Sequence, residues 1–245
     1  MSESAPPHNA PPNERQRSFA DLHCHTNASF DSLSRPEAVV RAAVERGITH
    51  LAITDHDRIE GALAARDFAP NGLTVIIGQE VRTSAGDLIA LFVERPIRPG
   101  QSPADASEEI RAQGGLVGLA HPFDRFRAGV GRKGWEDELE RAMPFIDYVE
   151  IWNARLFMGS GNAEAAKYAS EHNLAGVAVS DAHTVIEVGV AYTILEGPLA
   201  TPDEFRAALL NGQLVTGHGS RVVRLAMPVT KLIQRLRGNR RVAAA

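Results

Sequence analysis

Short apolar runs of strand length recur along this chain, and most are followed by a segment with helical spacing. The runs fall at 19–22, 50–54, 74–78, 116–120, 147–152 and 175–180, with a further strand at 87–93 after a Ser-Ala-Gly turn. Nearly continuous apolar strands separated by amphipathic helices predict a parallel sheet covered by helices. Six or seven such units before residue 190 fit a small α/β barrel better than an open sheet; a doubly wound sheet is the runner-up. Helix signals agree. Ser34 and Glu37 could form a capping box with Pro36 in the first turn, and Thr201-Pro202-Asp203-Glu204 predicts another.

Residues 1–17 are polar and rich in Pro, Asn and Ser, and are expected to be a disordered tail. The barrel is assigned to 18–190, a C-terminal extension to 191–228, and a basic terminal helix and tail to 229–245, the helix itself over 229–237. The basic face of that helix reads as a solvated one. With 44% hydrophobic residues the chain can build its core without a structural metal. A net charge of −4 argues against a large nucleic-acid interface. The single cysteine, Cys24, excludes a disulfide scaffold or thiolate zinc site and is expected to pack as a small apolar residue. There is no membrane-length apolar run and no signal-type apolar segment at the start, so a cytoplasmic protein is expected.

Against this map, ligand-type residues collect where strands end. His23 and His25 close the first strand, two residues apart, so their imidazoles aim at one point. Asp31 follows in a loop. Asp55, His56 and Asp57 end the second strand, Glu80 the third, His121 a later one, Asn153 the next, and Asp181 and His183 the last. In parallel β/α barrels that end is where active sites are built. Five imidazoles and at least three carboxylates exceed the needs of one ion, so two or three divalent ions (Mn, Fe or Zn) are expected as cofactors. Such clusters suit displacement at phosphorus by a metal-held hydroxide. Arg125, Arg127 and Arg155 follow strand ends and could hold a phosphate. Residues 123–134, basic and glycine-rich, read as a loop over the site. His50 begins a strand and is expected in a structural role. No Walker loop, dinucleotide fingerprint or nucleophile elbow occurs.

The ordered motifs 21–26, 29–31, 53–57, 78–80, 120–122, 149–153 and 180–183 resemble those of the PHP (polymerase and histidinol phosphatase) family, over about 19–216. The resemblance implies a distorted seven-stranded barrel with a two- or three-metal site, and activities that include phosphatases and a proofreading exonuclease. Carried over by motif, the implied ligands are His23, His25, Asp31, His56, Glu80, His121, Asp181 and His183, with Glu80 bridging two ions. A family position often occupied by His falls near Asn153, which joins the candidate ligand set. The expected function is hydrolysis of a small phosphorylated substrate, with Asp55, Asp57, Arg125 and Arg155 as catalytic candidates. The alternatives are a catalytically weak barrel that binds a phosphorylated ligand, and amidohydrolase-like chemistry at carbon.

Overall fold

A computed structural model describes residues 17–124, 136–156, 160–197 and 199–244. The expected tail, up to residue 16, and positions 125–135, including Arg125 and Arg127, lie outside the described residues.

The apolar runs form β1 (Arg17–Asp21), β2 (His50–Ile53), β3 (Thr74–Thr83), β4 (Gly86–Leu91), β5 (Leu116–Leu119), β6 (Tyr148–Asn153) and β7 (Ala175–Val179). Two more strands follow, β8 (Tyr192–Glu196) and β9 (Gln213–Val215). All nine make one sheet in the order β7-β6-β5-β4-β3-β2-β1-β8-β9, two strands more than the seven expected. Strands β1, β2 and β3 are parallel, as are β5, β6 and β7. The expectation of an all-parallel sheet is corrected at β4, which lies antiparallel between β3 and β5. The cause is the turn at Ser84-Ala85, where Thr83 Oγ1 donates to Gly86 O and the chain doubles back as a hairpin. The sheet then curls almost into a barrel. Cys24 bridges to Ala182, with His25 N donating to Ala182 O at 2.8 Å, which draws the ends of the β1 and β7 segments together.

Helices α1 (Pro36–Glu45), α2 (Glu60–Asp67), α3 (Pro103–Ala112), α4 (Glu136–Ala142) and α5 (Gly161–Glu171) follow the strands. Their apolar faces pack outside the sheet. Val39, Val40 and Ala43 of α1 meet Leu51, Ile53 and Cys24, which is the buried apolar role expected of the cysteine. Pro36 opens α1 as expected, but the capping box does not form: Arg35 is the N-cap, without a side-chain bond. The Ser34 hydroxyl instead donates to His183 O at 3.2 Å, beside that of Ser32 at 2.8 Å. Those bonds tie the start of α1 to the last ligand-type residue.

Two C-terminal helices sit at opposite ends of the barrel. α6 (Pro202–Leu209) has the full capping box of Thr201 and Glu204. It inserts Phe205 and Leu209 among Leu91, Leu116 and Tyr148, at the end away from the ligand-type residues. α7 (Arg221–Leu236) begins eight residues earlier than the sequence suggested, capped by Ser220, and carries Pro228 within it. It lies across the other end. Among the described residues no helix is long and apolar enough to cross a membrane.

Candidate metal centre

The strand-end residues converge on one buried point. His23 Nε2 and His25 Nε2 are 2.9 Å apart. Glu80 lies at the middle of the group: Oε2 is 3.3 Å from His23, 3.4 Å from His25 and 3.0 Å from His56 Nδ1, while Oε1 is 3.1 Å from His121 Nε2. Asp181 Oδ1 is 3.7 Å from His23, 3.5 Å from His25 and 3.5 Å from His183 Nδ1. Asp31 spans the far side, 3.4 Å from His56 and 3.5 Å from His183. Three groups of potential ligands result: His23 with His25 and Asp181; His25 with His56 and His183; and Glu80 with Asp87 and His121.

Glu80 does not end its strand. β3 runs on to Thr83, and Glu80 pairs with Ile89 of the hairpin. Its reach comes from a central place in the sheet, where His56, three residues beyond the end of β2, bridges to it. Backbone strain also concentrates here. His121 has φ +30, Asp181 φ +50 and Asp57 φ +56, a left-handed region costly to side chains other than glycine.

The hydrogen bonds around the imidazoles set their tautomers. Glu150 Oε1 lies 2.6 Å from His23 Nδ1, so that nitrogen carries a proton. The Ser29 hydroxyl donates to Asp55 Oδ1, leaving His25 Nδ1, 3.0 Å away, to donate to Ser29. Both Nε2 atoms are therefore acceptors when the rings are neutral, and they face each other at 2.9 Å. That arrangement needs positive charge between or on the rings, and a divalent cation fits it. Further buried atoms, His121 Nδ1, Asp31 Oδ1 and Asp87 Oδ1, make no hydrogen bond among the described residues, although Asp31 Oδ1 has His183 at 3.5 Å and Asp87 Oδ1 has Arg241 at 3.6 Å.

Charge shifts tell the same story. Burial opposes ionisation of Glu80, but His56 and His23 outweigh it and hold the carboxyl well below its usual range. Asp31 is likewise depressed, its burial overcome by His56 and His183. His56 is burdened by burial yet pushed up to about 9 by Glu80 and Asp31. His23 is held well above the usual imidazole range, with Glu150 and Asp181 outweighing its burial. His183 goes the other way, to about 3, through burial and the neighbouring Arg155. The Arg155 Nη1 is 2.6 Å from His183 Nδ1 and 3.6 Å from Asp181 Oδ1, so the guanidinium already brings one cation to the cluster.

Not every candidate joins the group. Asn153, expected among the ligands, lies beside the group: its Nδ2 donates to Glu150 Oε2 and Asp181 Oδ2, both at 3.0 Å, and Oδ1 accepts from Arg155 N. Asp55, expected as a catalytic candidate, is fully engaged by the neighbouring loop. Its oxygens accept from Thr26 N, Thr26 Oγ1 and Ser29 Oγ, which fixes the 26–29 loop rather than reaching the pocket. Gly61 makes that packing possible, because a Cβ there would sit 1.9 Å from Asp55 Oδ2. Asp57 accepts from Arg82 N at 2.9 Å and faces Arg241 Nε at 3.7 Å, outside the three groups. Arg125 lies outside the described residues.

Two site residues were missed. Glu150 holds His23 and also accepts from His121 N at 2.9 Å. A fully buried acid inside the apolar run of β6 was the signal available for it. Asp87 reads only as the first residue of a strand after the Ser-Ala-Gly turn, yet it is buried beside Glu80, and burial together with the Glu80 charge raises it to about 6.

A nearly closed α/β barrel with buried clusters of His and carboxylate side chains where its strands end has the donor set of a multinuclear metal site. The chain matches the PHP domain over residues 21–128 and a PHP-associated region over 159–214. It is 34% identical over 146 residues to an uncharacterized protein of Methanocaldococcus jannaschii, covering 55% of this chain and 81% of that one. A second uncharacterized protein of the same organism is 32% identical over 172 residues, covering 70% and 68%. In structure it is similar to a Bacteroides vulgatus two-domain protein containing a predicted PHP-like metal-dependent phosphoesterase, with TM-score 0.70 and 20% identity over 89% of this chain and 70% of that one. This protein belongs to the PHP family.

Proposed function

We propose that the protein is a metal-dependent phosphoesterase acting on a small phosphate ester. The observation that carries this reading is the pair of facing His23 and His25 acceptors at 2.9 Å inside a ring of carboxylates and three further imidazoles, a donor set shaped for cations. His23, His25 and Asp181 would hold one ion and Glu80, Asp87 and His121 a second. Asp31, His56 and His183 line the remaining side, where a third could bind. Bound divalent ions would supply Lewis acidity and make a hydroxide nucleophile available near neutral pH.

The chain's own groups do the rest. Glu150 and the Asp55–Ser29 pair fix both imidazoles with Nε2 inward, and such partners are known to sustain metal affinity. Arg155, little exposed and beside Asp181, places positive charge where phosphoryl oxygens would gather. No lysine interrupts an apolar strand run of the sequence, so hydrolysis at carbon with a bridging lysine has no strand-end candidate.

The test is hydrolysis of an aryl phosphate by protein stripped of metal and reloaded with Mn²⁺, Fe²⁺ or Zn²⁺. Turnover that returns with metal and is lost in His121→Ala is expected. Absence of turnover with every ion defeats the reading.

A further inference from the structure

We propose that α7 is a recognition roof for a terminal phosphate, with Arg224 and Lys231 binding the phosphate oxygens that the ligand floor leaves facing outward. The inference rests on the phosphoesterase reading of the floor. It concerns a segment beyond both matched stretches, which end at 128 and 214.

The helix is turned the wrong way for packing. A surface helix normally buries its apolar stripe. In α7 the apolar side chains Val222, Leu225 and Leu236 are 75%, 81% and 79% exposed. Arg224, Met227, Pro228 and Lys231, at helical spacing, instead line a cavity of about 390 Å³ over Asp31, His56, Glu80 and His183. Apolar burial contributes little to this orientation, since Met227 is the buried apolar side chain of the helix among the described residues. Polar anchoring explains it. Gln234 Nε2 donates to the carbonyls of Asn27, Ser29 and Ser32 at 2.6–2.9 Å, and Asn239 Nδ2 donates to that same loop, which carries Asp31.

The roof is thereby fixed with cations over an anionic floor. Lys231 Nζ stands 3.9 Å from Asp31 Oδ2 and over the Phe30 ring, and Arg224 Nη1 donates to Arg155 O at 2.9 Å. A phosphomonoester dianion offers three non-bridging oxygens, to be shared between the ions of the floor and the cations of the roof. A diester carries one charge less for Arg224 and Lys231 to meet, and a second arm that must also fit in the cavity. A cavity near the small end of ligand pockets favours a compact monoester.

The experiment uses the full, metal-loaded chain and inorganic phosphate as the probe, read by calorimetry. Lys231→Gln and Arg224→Gln are each expected to weaken phosphate binding about tenfold, as loss of a charge-assisted bond does. Leu225→Ser, on the outward face, is expected to leave it unchanged. With p-nitrophenyl phosphate the two roof variants raise KM with kcat maintained, whereas bis(p-nitrophenyl) phosphate is hardly affected. Unchanged phosphate affinity in both variants overturns the proposal, and so does an equal loss with monoester and diester. A wild-type chain that shows the binding contrast without turnover supports the roof and defeats the hydrolytic reading. Turnover without the contrast does the reverse.

Discussion

α6 and α7 close the two ends of one barrel by opposite means. α6 turns Phe205 and Leu209 inward, both essentially inaccessible to solvent, and the Phe205 ring meets Phe92 at 5.4 Å and His50 at 6.0 Å. α7 turns charge and amide inward and leaves its leucines in water. The first helix completes a core and the second borders a cavity. Stability should therefore be concentrated at the α6 end and chemistry at the α7 end, and each can be perturbed without the other.

The sharpest way to break that division is Glu80→Gln. Glu80 touches four imidazoles, so losing its charge should release metal and lower kcat/KM by about 10³-fold or more. Elemental analysis alongside kinetics checks it, and a variant that retains full metal and full activity removes Glu80 from the centre. The opposite-end counterpart is Phe205→Ala. Truncating this fully buried ring should cost about 3–5 kcal/mol in denaturant unfolding, with kcat/KM of the folded fraction unchanged. A Phe205→Ala protein that folds as stably as wild type would show that α6 is not a plug.

The two ends also differ in how far the sequence announces them. The α6 end was legible because capping and apolar spacing are local: Thr201 and Glu204 form the box that their spacing predicts. The ligand floor was legible because a His or Asp that interrupts an apolar run has few structural uses. Legibility failed where the partner is distant in sequence. Glu150 looks like one more strand residue until the fold brings His23 to it from 127 positions away. Asp87 and the extra length of β3 depended on a hairpin that reversed the strand instead of ending it. The terminal helix expected from 229 omits the first turns of α7, and its basic residues read as a solvated face. Its true orientation is set by Gln234 reaching carbonyls some 200 positions earlier, which no periodicity reports.

Glu150 offers a finer cut within the chemical end. Glu150→Gln keeps the shape but replaces a carboxylate held below its usual range, its burial outweighed by His23. Metal affinity should fall about 10–100-fold, measured by chelator competition, with little change in thermal stability of the apo chain. Equal affinity in the two proteins would mean that His23 is oriented without it. Gln234→Ala tests the roof anchor more gently. Three carbonyls lose a donor, so unfolding should become easier by about 1–3 kcal/mol, and proteolysis within 221–244 should quicken before the barrel opens. Unaltered proteolysis there would place the anchor elsewhere, for instance in Asn239.

The smallest effect belongs to His50, at the α6 end. Burial lowers its pKa in the fold, so the folded chain resists a proton that the unfolded chain accepts. The unfolded state then binds more protons as pH drops through the ordinary imidazole range of about 6.5, and stability is lost in that direction. Raised carboxyls such as Asp21, pushed by burial to about 6, act with the opposite sign, so the wild-type curve alone does not isolate His50. The difference between wild type and His50→Gln does. Relative to wild type, the variant should gain stability between pH 7.5 and pH 5.5 in denaturant titrations, while the pH profile of hydrolysis stays unchanged. A shifted hydrolysis profile would couple the two ends of the barrel and break the division on which the comparison of α6 with α7 stands.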